Sequence, residues 1–426
     1  MQVNVQRLSP VLVELEVEVG ADRVKTEVDK AYGALAKSAK VRGFRPGKAP
    51  RSVLAHLFGG RVASDVAQRI IDQTFPEAVK RNGLQPISTA DFGRPERILD
   101  NQSFSYKARF EVLPVIERVS YEGLGAKRPR VNVTDAEVET EFEKLRVAMS
   151  TLEAPSDDRA SHQGDVLTID LTVEAGGKRV SEAGVTAQQA ELGNGSLLPA
   201  VDEALLDRRP GDTVMVEVDM PVQHPVAALR GRRAKLTIQV RDLKERILPS
   251  ADDEFARDAG SFQTLAELKA DLKSKLEKAE EERAANAVAE QLVLELVKAN
   301  PIPVPSALVE QQMRITEQEI LTQARRQGQN ATSLNPEMRD QVRTDSEIKV
   351  RAGLLMAEIA KQQGIKIGDA EIEEGMKELA EQTSKNLAKV RAEHADPKKR
   401  EMLIGMILEN KVLDIIESKA KIEEAP

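Results

Sequence analysis

The chain of 426 residues contains no cysteine. This absence excludes disulfide bridges, thiolate metal ligands and a cysteine nucleophile. The 4 histidines (His56, His162, His224 and His394) lie far apart, and none belongs to the H-E-x-x-H pattern of a zinc helix. The sequence therefore predicts no metal site and no redox role, and we expect the protein to work without a cofactor.

Aromatic residues are also scarce. There is no Trp, and the chain has only 3 Tyr and 9 Phe. Ten of these twelve residues lie between Tyr32 and Phe142, whereas residues 143–254 and 263–426 contain none. The middle of the chain therefore cannot build the aromatic-lined pocket with which many proteins grip apolar ligands.

Long hydrophobic runs are missing as well. No apolar run approaches the ~18 residues that a membrane-spanning helix needs. The first ten residues, MQVNVQRLSP, contain no apolar core of signal-peptide length. We therefore expect a soluble, cytoplasmic protein with no membrane partner. At roughly 100–200 residues per domain, the length predicts two to four domains.

Charge of one sign is concentrated near the N-terminus. The whole chain has a formal net charge of -8, yet residues 1–113 contain 18 Lys and Arg against 13 Asp and Glu. No acidic residue occurs between Lys30 and Ser64. The bases of that stretch are Lys30, Lys37, Lys40, Arg42, Arg45, Lys48, Arg51 and Arg61. Such a patch attracts polyanions in a salt-dependent way, although a solvated basic helix and loop without a ligand is the alternative.

Hydrophobic periodicity predicts an α+β domain over residues 1–113. Apolar residues alternate with polar ones at 13–19 and again at 103–113, which is typical of half-buried strands. Helices are predicted at 21–41 and at about 53–83. The loop between them contains two Gly and two Pro and carries several of the bases.

The rest of the chain divides into three segments. Residues 114–160 predict a linker with one polar helix, which Thr134 caps. Residues 161–246 contain β-rich runs separated by Gly and Pro and predict a mainly antiparallel β domain with one short helix. Residues 247–426 predict an all-α domain. Its main helices are expected at 264–300, 306–327, 336–363, 369–394 and 398–419. The fold class is therefore multi-domain α+β.

Motifs for chemistry are absent. The segment GFRPGK resembles a phosphate-binding loop, but the spacing between its glycines is one residue too short, and Ala49 follows Lys48 where Ser or Thr is required. Gly193 and Gly195 flank a single residue and predict a tight turn rather than a nucleotide site. The residues alone thus indicate no hydrolytic, redox or metal chemistry.

One segment carries a family signature. Residues 43–50, GFRPGKAP, resemble the signature loop of the trigger factor family, the ribosome-associated chaperones of bacteria. Residues 192–212 (LGNGSLLPAVDEALLDRRPGD) resemble that family's middle domain, an FKBP-type peptidyl-prolyl cis-trans isomerase. Residues 296–312 and 412–422 resemble its helical C-terminal domain. The similar segments occur in the family's order and spacing.

The resemblance implies a chaperone that does not use ATP. Its N-terminal domain would dock on the large ribosomal subunit, contacting protein and rRNA beside the tunnel exit. The implied ribosome-binding residues are Gly43, Phe44, Arg45, Pro46, Gly47 and Lys48, supported by the basic patch Lys37, Lys40, Arg42 and Arg51. The helical domain would form two arms that hold nascent unfolded polypeptides. The resemblance also implies roles in protein transport and cell division, and a homodimer away from the ribosome.

The isomerase domain departs from the family's pattern, because none of the expected aromatic rings is present. By alignment to that pattern, the candidate prolyl pocket consists of Leu171, Val180, Leu198, Val201, His224 and Leu236. The domain is still expected to fold as FKBP-like. These residues either form an aliphatic peptide pocket or are simply core, and isomerase activity is expected to be weak or lost.

Three functions stay open at this point. The first is a ribosome-bound chaperone with a degenerate isomerase domain, and the second is a fully active ribosome-associated prolyl isomerase. The third is an rRNA-binding ribosome-maturation factor. The missing rings disfavour the second. The net charge of -13 over residues 114–426 disfavours the third, since acidic helices add nothing to RNA binding.

Overall fold

The structure is a computed structural model that describes residues 1–42, 44, 48–93, 98–99, 102–221, 226–326 and 332–425. It has the multi-domain α+β class expected from the sequence. The chain divides into two compact units. The discontinuous unit combines Met1–Lys127 with Val288–Arg325 and the described residues up to Glu423. The second unit is formed mainly by Arg128–Ala287, together with Arg326 and the described residues from Glu424 onward, and we call it the continuous unit after its main segment.

The N-terminal part of the discontinuous unit is a three-stranded antiparallel sheet with two helices. The strands β1 (Gln2–Ser9), β2 (Leu12–Val19) and β3 (Phe104–Glu111) are adjacent in that order. The helices are α1 (Ala21–Ser38) and α2 (Arg51–Arg81). The apolar positions of β2 alternate, so its buried apolar side chains all pack in one core with the helices. The sequence predicted β2, β3 and both helices, but it missed β1, most of whose residues are exposed.

A short strand, β4 (Gly125–Arg128), leads into the continuous unit, which opens with α3 (Asp135–Ala148). Thr134 caps α3 as predicted. Its hydroxyl accepts a hydrogen bond from the Glu137 N–H, and the Glu137 carboxylate accepts one from the Thr134 N–H. The elements that follow are β5 (Thr151–Glu153), β6 (Val166–Ala175), β7 (Lys178–Arg179), β8 (Val185–Glu191), α4 (Pro199–Leu205), β9 (Thr213–Asp219) and β10 (Arg233–Ile247).

These strands form one antiparallel sheet of six. Strand β10 pairs with β6 along one side, and different parts of β10 pair with β9 and β5. Strand β6 in turn pairs with β7 and β8. The core packed against this sheet contains only aliphatic side chains and Met220. The core of this β domain therefore contains no aromatic ring and is packed from aliphatic side chains and one methionine.

The helical part begins with α5 (Asp253–Ala259) and α6 (Leu265–Ala299), and α6 stops where Asn300 precedes Pro301. The next elements are α7 (Ser306–Arg326), α8 (Pro336–Gln362), α9 (Asp369–Gln382), α10 (Leu387–Glu393), α11 (Pro397–Ser418) and a last strand, β11 (Lys421–Glu424). Two expectations were wrong here. The helix predicted at 369–394 is two helices, because Ser384 adopts a φ of 51° that interrupts it. The chain also ends on a strand, since β11 pairs with β4.

The segment that precedes β4 is fixed to the helical part of the same unit. Val119, Tyr121 and Leu124 are buried in one cluster with residues of α6, α8 and α11. The Asn300 side chain accepts a hydrogen bond from the Ser120 N–H at 2.8 Å and donates one to the Ser120 carbonyl at 2.9 Å. A side-chain amide thus pairs with the backbone as a neighbouring strand would.

The end of β3 is linked to the start of α7. The Glu111 carboxylate accepts hydrogen bonds from the Ser306 N–H at 3.2 Å and from the Ala307 N–H at 2.8 Å. These are two of the N–H groups that a helix N-terminus leaves without a partner. Glu111 therefore caps α7 from the N-terminal sheet.

Candidate functional site

The signature loop joins α1 to α2. Phe44 and Lys48 are the two members of the implied ribosome-binding set that fall within the described residues, and both side chains are exposed. The Phe44 side chain is 41% exposed, so its ring is not packed into the hydrophobic core. Gly43, Arg45, Pro46 and Gly47 lie outside the described residues.

The basic patch beside the loop contains two kinds of residue. Lys37, Lys40 and Arg42 are exposed, and none of them forms an ion pair with another residue in the part of the chain that the structure describes. Arg51 differs, because its guanidinium pairs with Asp29 and lies 5.1 Å from the centre of the Tyr32 ring. Arg51 therefore holds the start of α2 against α1, and the other three cations face solvent.

The second candidate site is a cavity of about 290 Å³ between the six-stranded sheet and α4. Leu171, Leu198, Val201 and Leu236, four of the six predicted pocket residues, line it. Val180 packs against the same core without lining the cavity. His224 lies outside the described residues.

Several lining residues were not predicted. Ile169, Met220, Leu229 and Ile238 face the same cavity. They belong to three different segments, and the antiparallel register that places Ile238 opposite Leu171 brings the segments together. No local signal in the sequence identifies such residues, because the pairing of β6 with β10 is made between segments about 65 residues apart.

The chemistry of the cavity is apolar. No charged residue and no aromatic ring is among the described residues that line it, and its polar side chains are those of Gln188 and Ser196. An acid, a base and a nucleophile activated by either are therefore absent from this lining. The cavity can bind an apolar group, and its two polar side chains can hydrogen-bond a peptide backbone beside that group.

A strained residue shapes the rim of the cavity. Ala187 in β8 has a φ of 54°, a left-handed conformation that L-residues with a Cβ rarely adopt. The Asp170 carboxylate accepts a hydrogen bond from the Ala187 N–H at 2.8 Å and also pairs with Arg241. The hydrogen bond from the Ala187 N–H is the main cause of the lowered pKa of Asp170, and Arg241 lowers that pKa further. Partial desolvation acts in the opposite direction. The ionised carboxylate thus holds β8 in its irregular path between Val185 and Gln188.

We expect Ala187→Gly to raise the free energy of unfolding of this domain by about 1 kcal/mol, because glycine adopts a positive φ without a steric penalty. Hydrogen exchange of β6 and β10 amides measures the change. Thr186→Gly is the matched control, since that residue of the same strand has no positive φ. It should destabilise the domain by about 0.5–1 kcal/mol. Equal destabilisation by both variants would show that Ala187 is not strained.

A buried ionic cluster fixes the entry to β6. The Arg159 guanidinium contacts both Asp165 oxygens, at 2.5 and 2.9 Å, and Glu245 at 3.0 Å. The His162 N–H donates to the same Asp165 carboxylate at 2.7 Å. Burial opposes the ionisation of Asp165, but the hydrogen bonds from Arg159 and His162 prevail and lower its pKa.

The described residues contain no group of three or more His, Asp or Glu side chains arranged to hold a metal ion. Among the helices described, none combines the length and the apolar character needed to cross a bilayer. The loop and the cavity are the two candidate sites that the sequence also indicated.

Comparison with known proteins identifies the family. The family model for bacterial trigger factor protein (TF) matches residues 1–145, and the model for its C-terminus matches residues 264–418. The trigger factor of Anaeromyxobacter sp. (strain Fw109-5) is 34% identical over 441 residues, which cover 100% of both chains. The chain belongs to the trigger factor family. The trigger factor of Anaeromyxobacter dehalogenans (strain 2CP-C) is 32% identical over 429 residues and also covers 100% of both chains.

A solved trigger factor structure has the same fold. That structure, of a chaperone described for promiscuous substrate recognition in folding and assembly, covers 98% of this chain and 100% of its own, with a TM-score of 0.53 and 21% identity. The signature loop, α1 and α2 fall within the residues that match the N-terminal trigger factor model. Helices α7 to α11 fall within those that match the C-terminal model.

Proposed function

We propose that this member of the trigger factor family is an ATP-independent chaperone of the cytoplasm. It docks at the tunnel exit of the large ribosomal subunit and shields nascent polypeptides while they fold or await export. The observation that carries the proposal is the exposed Phe44 within a stretch that lacks acidic residues from Lys30 to Ser64. The relatives named above support it at the level of the family. Cell division and the homodimer stay predictions from the resemblance.

The charges of the loop suit a polyanionic partner. Lys37, Lys40 and Arg42 have no ion pair to give up within the described part of the chain, so contact with rRNA phosphate would not break an existing pair. Phe44 supplies apolar contact area beside them. Charge would attract the ribosome from a distance, and the ring would add contact that salt does not screen.

The helical part offers the properties that a holding surface needs. Exposed apolar side chains occur on four helices. They include Leu294 of α6, Ile315 of α7, Met338 of α8, and Met402 and Met406 of α11. Apolar contacts of this kind bind many sequences weakly, and methionine adapts its shape to different partners. Weak contacts also allow release without nucleotide hydrolysis.

The double variant Phe44→Ala/Arg45→Ala tests ribosome docking. We expect its co-sedimentation with ribosomes to fall about tenfold or more, since it removes an exposed ring and a cation from the same loop. The matched control is Arg7→Ala/Leu8→Ala in β1, where Leu8 is 42% exposed, close to the 41% of Phe44. The control should bind ribosomes as the unaltered chain does. Full binding by the loop variant would mean that the loop is not the dock.

A second candidate function rests on the cavity of the continuous unit. Because Leu171, Leu198, Val201 and Leu236 line one apolar cavity, this domain can bind a peptide side chain. We propose peptide binding with weak or no prolyl isomerisation. A fully active isomerase is the alternative, and an isomerisation assay with a prolyl peptide distinguishes the two. A maturation factor that acts on rRNA alone is less well supported, because it gives no role to the exposed apolar side chains of α7, α8 and α11.

A further inference from the structure

A groove of about 490 Å³ lies between α1 and α2. Its apolar floor is formed by Ala31 and Leu35 of α1 and by Phe58 and Val62 of α2. Val62 is buried, whereas the other three are only partly covered by the N-terminal core. Ala34, on the same face of α1, is exposed and too small to close the groove. The floor therefore presents apolar surface to solvent in a concave shape.

The rim of this groove is predominantly cationic. Lys40, Arg61 and Arg69 line it, and Asp65 is the acidic residue among the lining. Asp65 lies 3.8 Å from Arg61 and compensates that charge in part. Lys40 and Arg69 are exposed and form no ion pair within the described ranges. An occupant with an apolar face and negative charges at its edges would match both the floor and the rim.

We propose that the α1–α2 groove binds an amphipathic helix of a partner protein that carries acidic residues along its flanks. A helix laid in a groove between two helices buries one apolar stripe and keeps its flanks at the rim. The leucines of such a stripe would cover Leu35 and Phe58, and its carboxylates would reach Lys40 and Arg69. Both halves of the interaction are required, because exposed charge pairs alone contribute little.

The floor favours a protein helix over RNA. Phosphates and sugars would satisfy the cations but would leave Leu35 and Phe58 without apolar partners, whereas the side chains of a helix cover them. Neither Phe44 nor Lys48 lines the groove, and Lys40 is the residue of the basic patch that does. The proposal goes beyond ribosome docking, and its test separates peptide binding from ribosome binding.

Fluorescence anisotropy with the full chain tests the proposal. The probe is a labelled helical peptide with leucines on one face and glutamates on both flanks, and the comparison peptide has lysines in place of the glutamates. We expect the acidic peptide to bind at least about tenfold more tightly, with an affinity that falls as salt is added. Arg61→Glu/Arg69→Glu should weaken its binding about tenfold. Ala34→Phe, which fills the groove without changing charge, should weaken it to a similar extent.

The matched control is Lys25→Glu/Lys80→Glu, which makes the same change in net charge at two exposed residues outside the groove. Its affinity for the acidic peptide should stay within about twofold of that of the unaltered chain. Equal binding of both peptides, or unchanged binding to the Ala34→Phe variant, would overturn the proposal. So would loss of ribosome binding by Arg61→Glu/Arg69→Glu with peptide binding intact, since the groove would then contact rRNA. A loss of self-association in that variant, with no peptide binding by the unaltered chain, would assign the groove to a second copy and equally overturn it.

Discussion

Replacing Asp165 with alanine is expected to lower the free energy of unfolding of the six-stranded domain by about 3 kcal/mol. The substitution leaves the Arg159 guanidinium, which is mostly buried, with Glu245 as its remaining carboxylate partner. It also leaves the His162 N–H without its acceptor. Because residues 143–254 contain no Phe, Tyr or Trp, intrinsic fluorescence does not report on this domain. Hydrogen exchange of the β6 and β10 amides is the measurement.

Asp158→Ala is the control, since Asp158 makes a longer contact, 3.6 Å to Arg209, with its side chain in solvent. Little change is expected there. The effect at Asp165 should also depend on pH. Its pKa is lower in the folded chain than the ~3.9 of an unfolded aspartate, so its ionisation stabilises the fold above about pH 4 and that contribution is lost as the pH falls further. The difference between the chain and Asp165→Asn should therefore shrink below about pH 4. A difference that is constant with pH would mean that the charge of Asp165 is not what stabilises the domain.

The full chain is expected to accelerate the cis–trans isomerisation of a prolyl peptide by no more than about twofold. The uncatalysed reaction takes roughly tens to hundreds of seconds and crosses a barrier of ~18–20 kcal/mol. Catalysis requires that the pocket bind the twisted imide more tightly than the planar one. Leu171, Val201 and Leu236 offer apolar contact without the rings that would hold the proline in place. Gln188 and Ser196 are the polar side chains of the lining that could hydrogen-bond the twisted imide.

The assay needs one positive and two variant controls. A known prolyl isomerase added to the same peptide establishes that the substrate responds. Should the chain itself accelerate the reaction tenfold or more, the aliphatic cavity would suffice for catalysis and our expectation would be wrong. In that case Leu171→Asp should abolish the activity, whereas Met215→Asp, on an exposed residue of β9 outside the cavity, should not.

Periodicity predicted the long elements and failed on the short or polar ones. Helix α6 follows from a long stretch without Gly or Pro that ends before Pro301, and α8 follows within one residue of its predicted range, 336–363. Strand β11 has the sequence KIEE, in which one apolar residue cannot show alternation. Strand β8 contains Thr186, Ala187 and two glutamines, and pairing with β6 stabilises it despite this composition. These strands depend on distant partners, which single-sequence patterns do not contain.

For the candidate sites, too, the sequence predicted what depends on neighbouring residues and missed what depends on distant ones. The cationic loop could be predicted, because its signal is contiguous: an acid-free stretch that contains Phe44 and Lys48. What the sequence did not predict is that Arg51 pairs with Asp29, since that pair joins residues 22 positions apart. In the cavity, four of the six residues chosen by family alignment came together, but Ile238 and Met220 were missed because strand register and a loop place them there.

The pairing of β4 with β11 also determines when this protein can finish folding. The two strands are separated by nearly the whole length of the chain that follows β4. At ~5–20 residues per second, a ribosome needs roughly 15–60 s to synthesise the residues between them. During that time Val119, Tyr121 and Leu124 have been made but lack the α8 and α11 partners that bury them. Residues 128–287, the main segment of the continuous unit, are made before α8 and α11 and can begin to fold while synthesis goes on. While it is being synthesised, this proposed chaperone of nascent chains therefore exposes apolar residues of its own. They become buried only after its last helix and strand have left the ribosome.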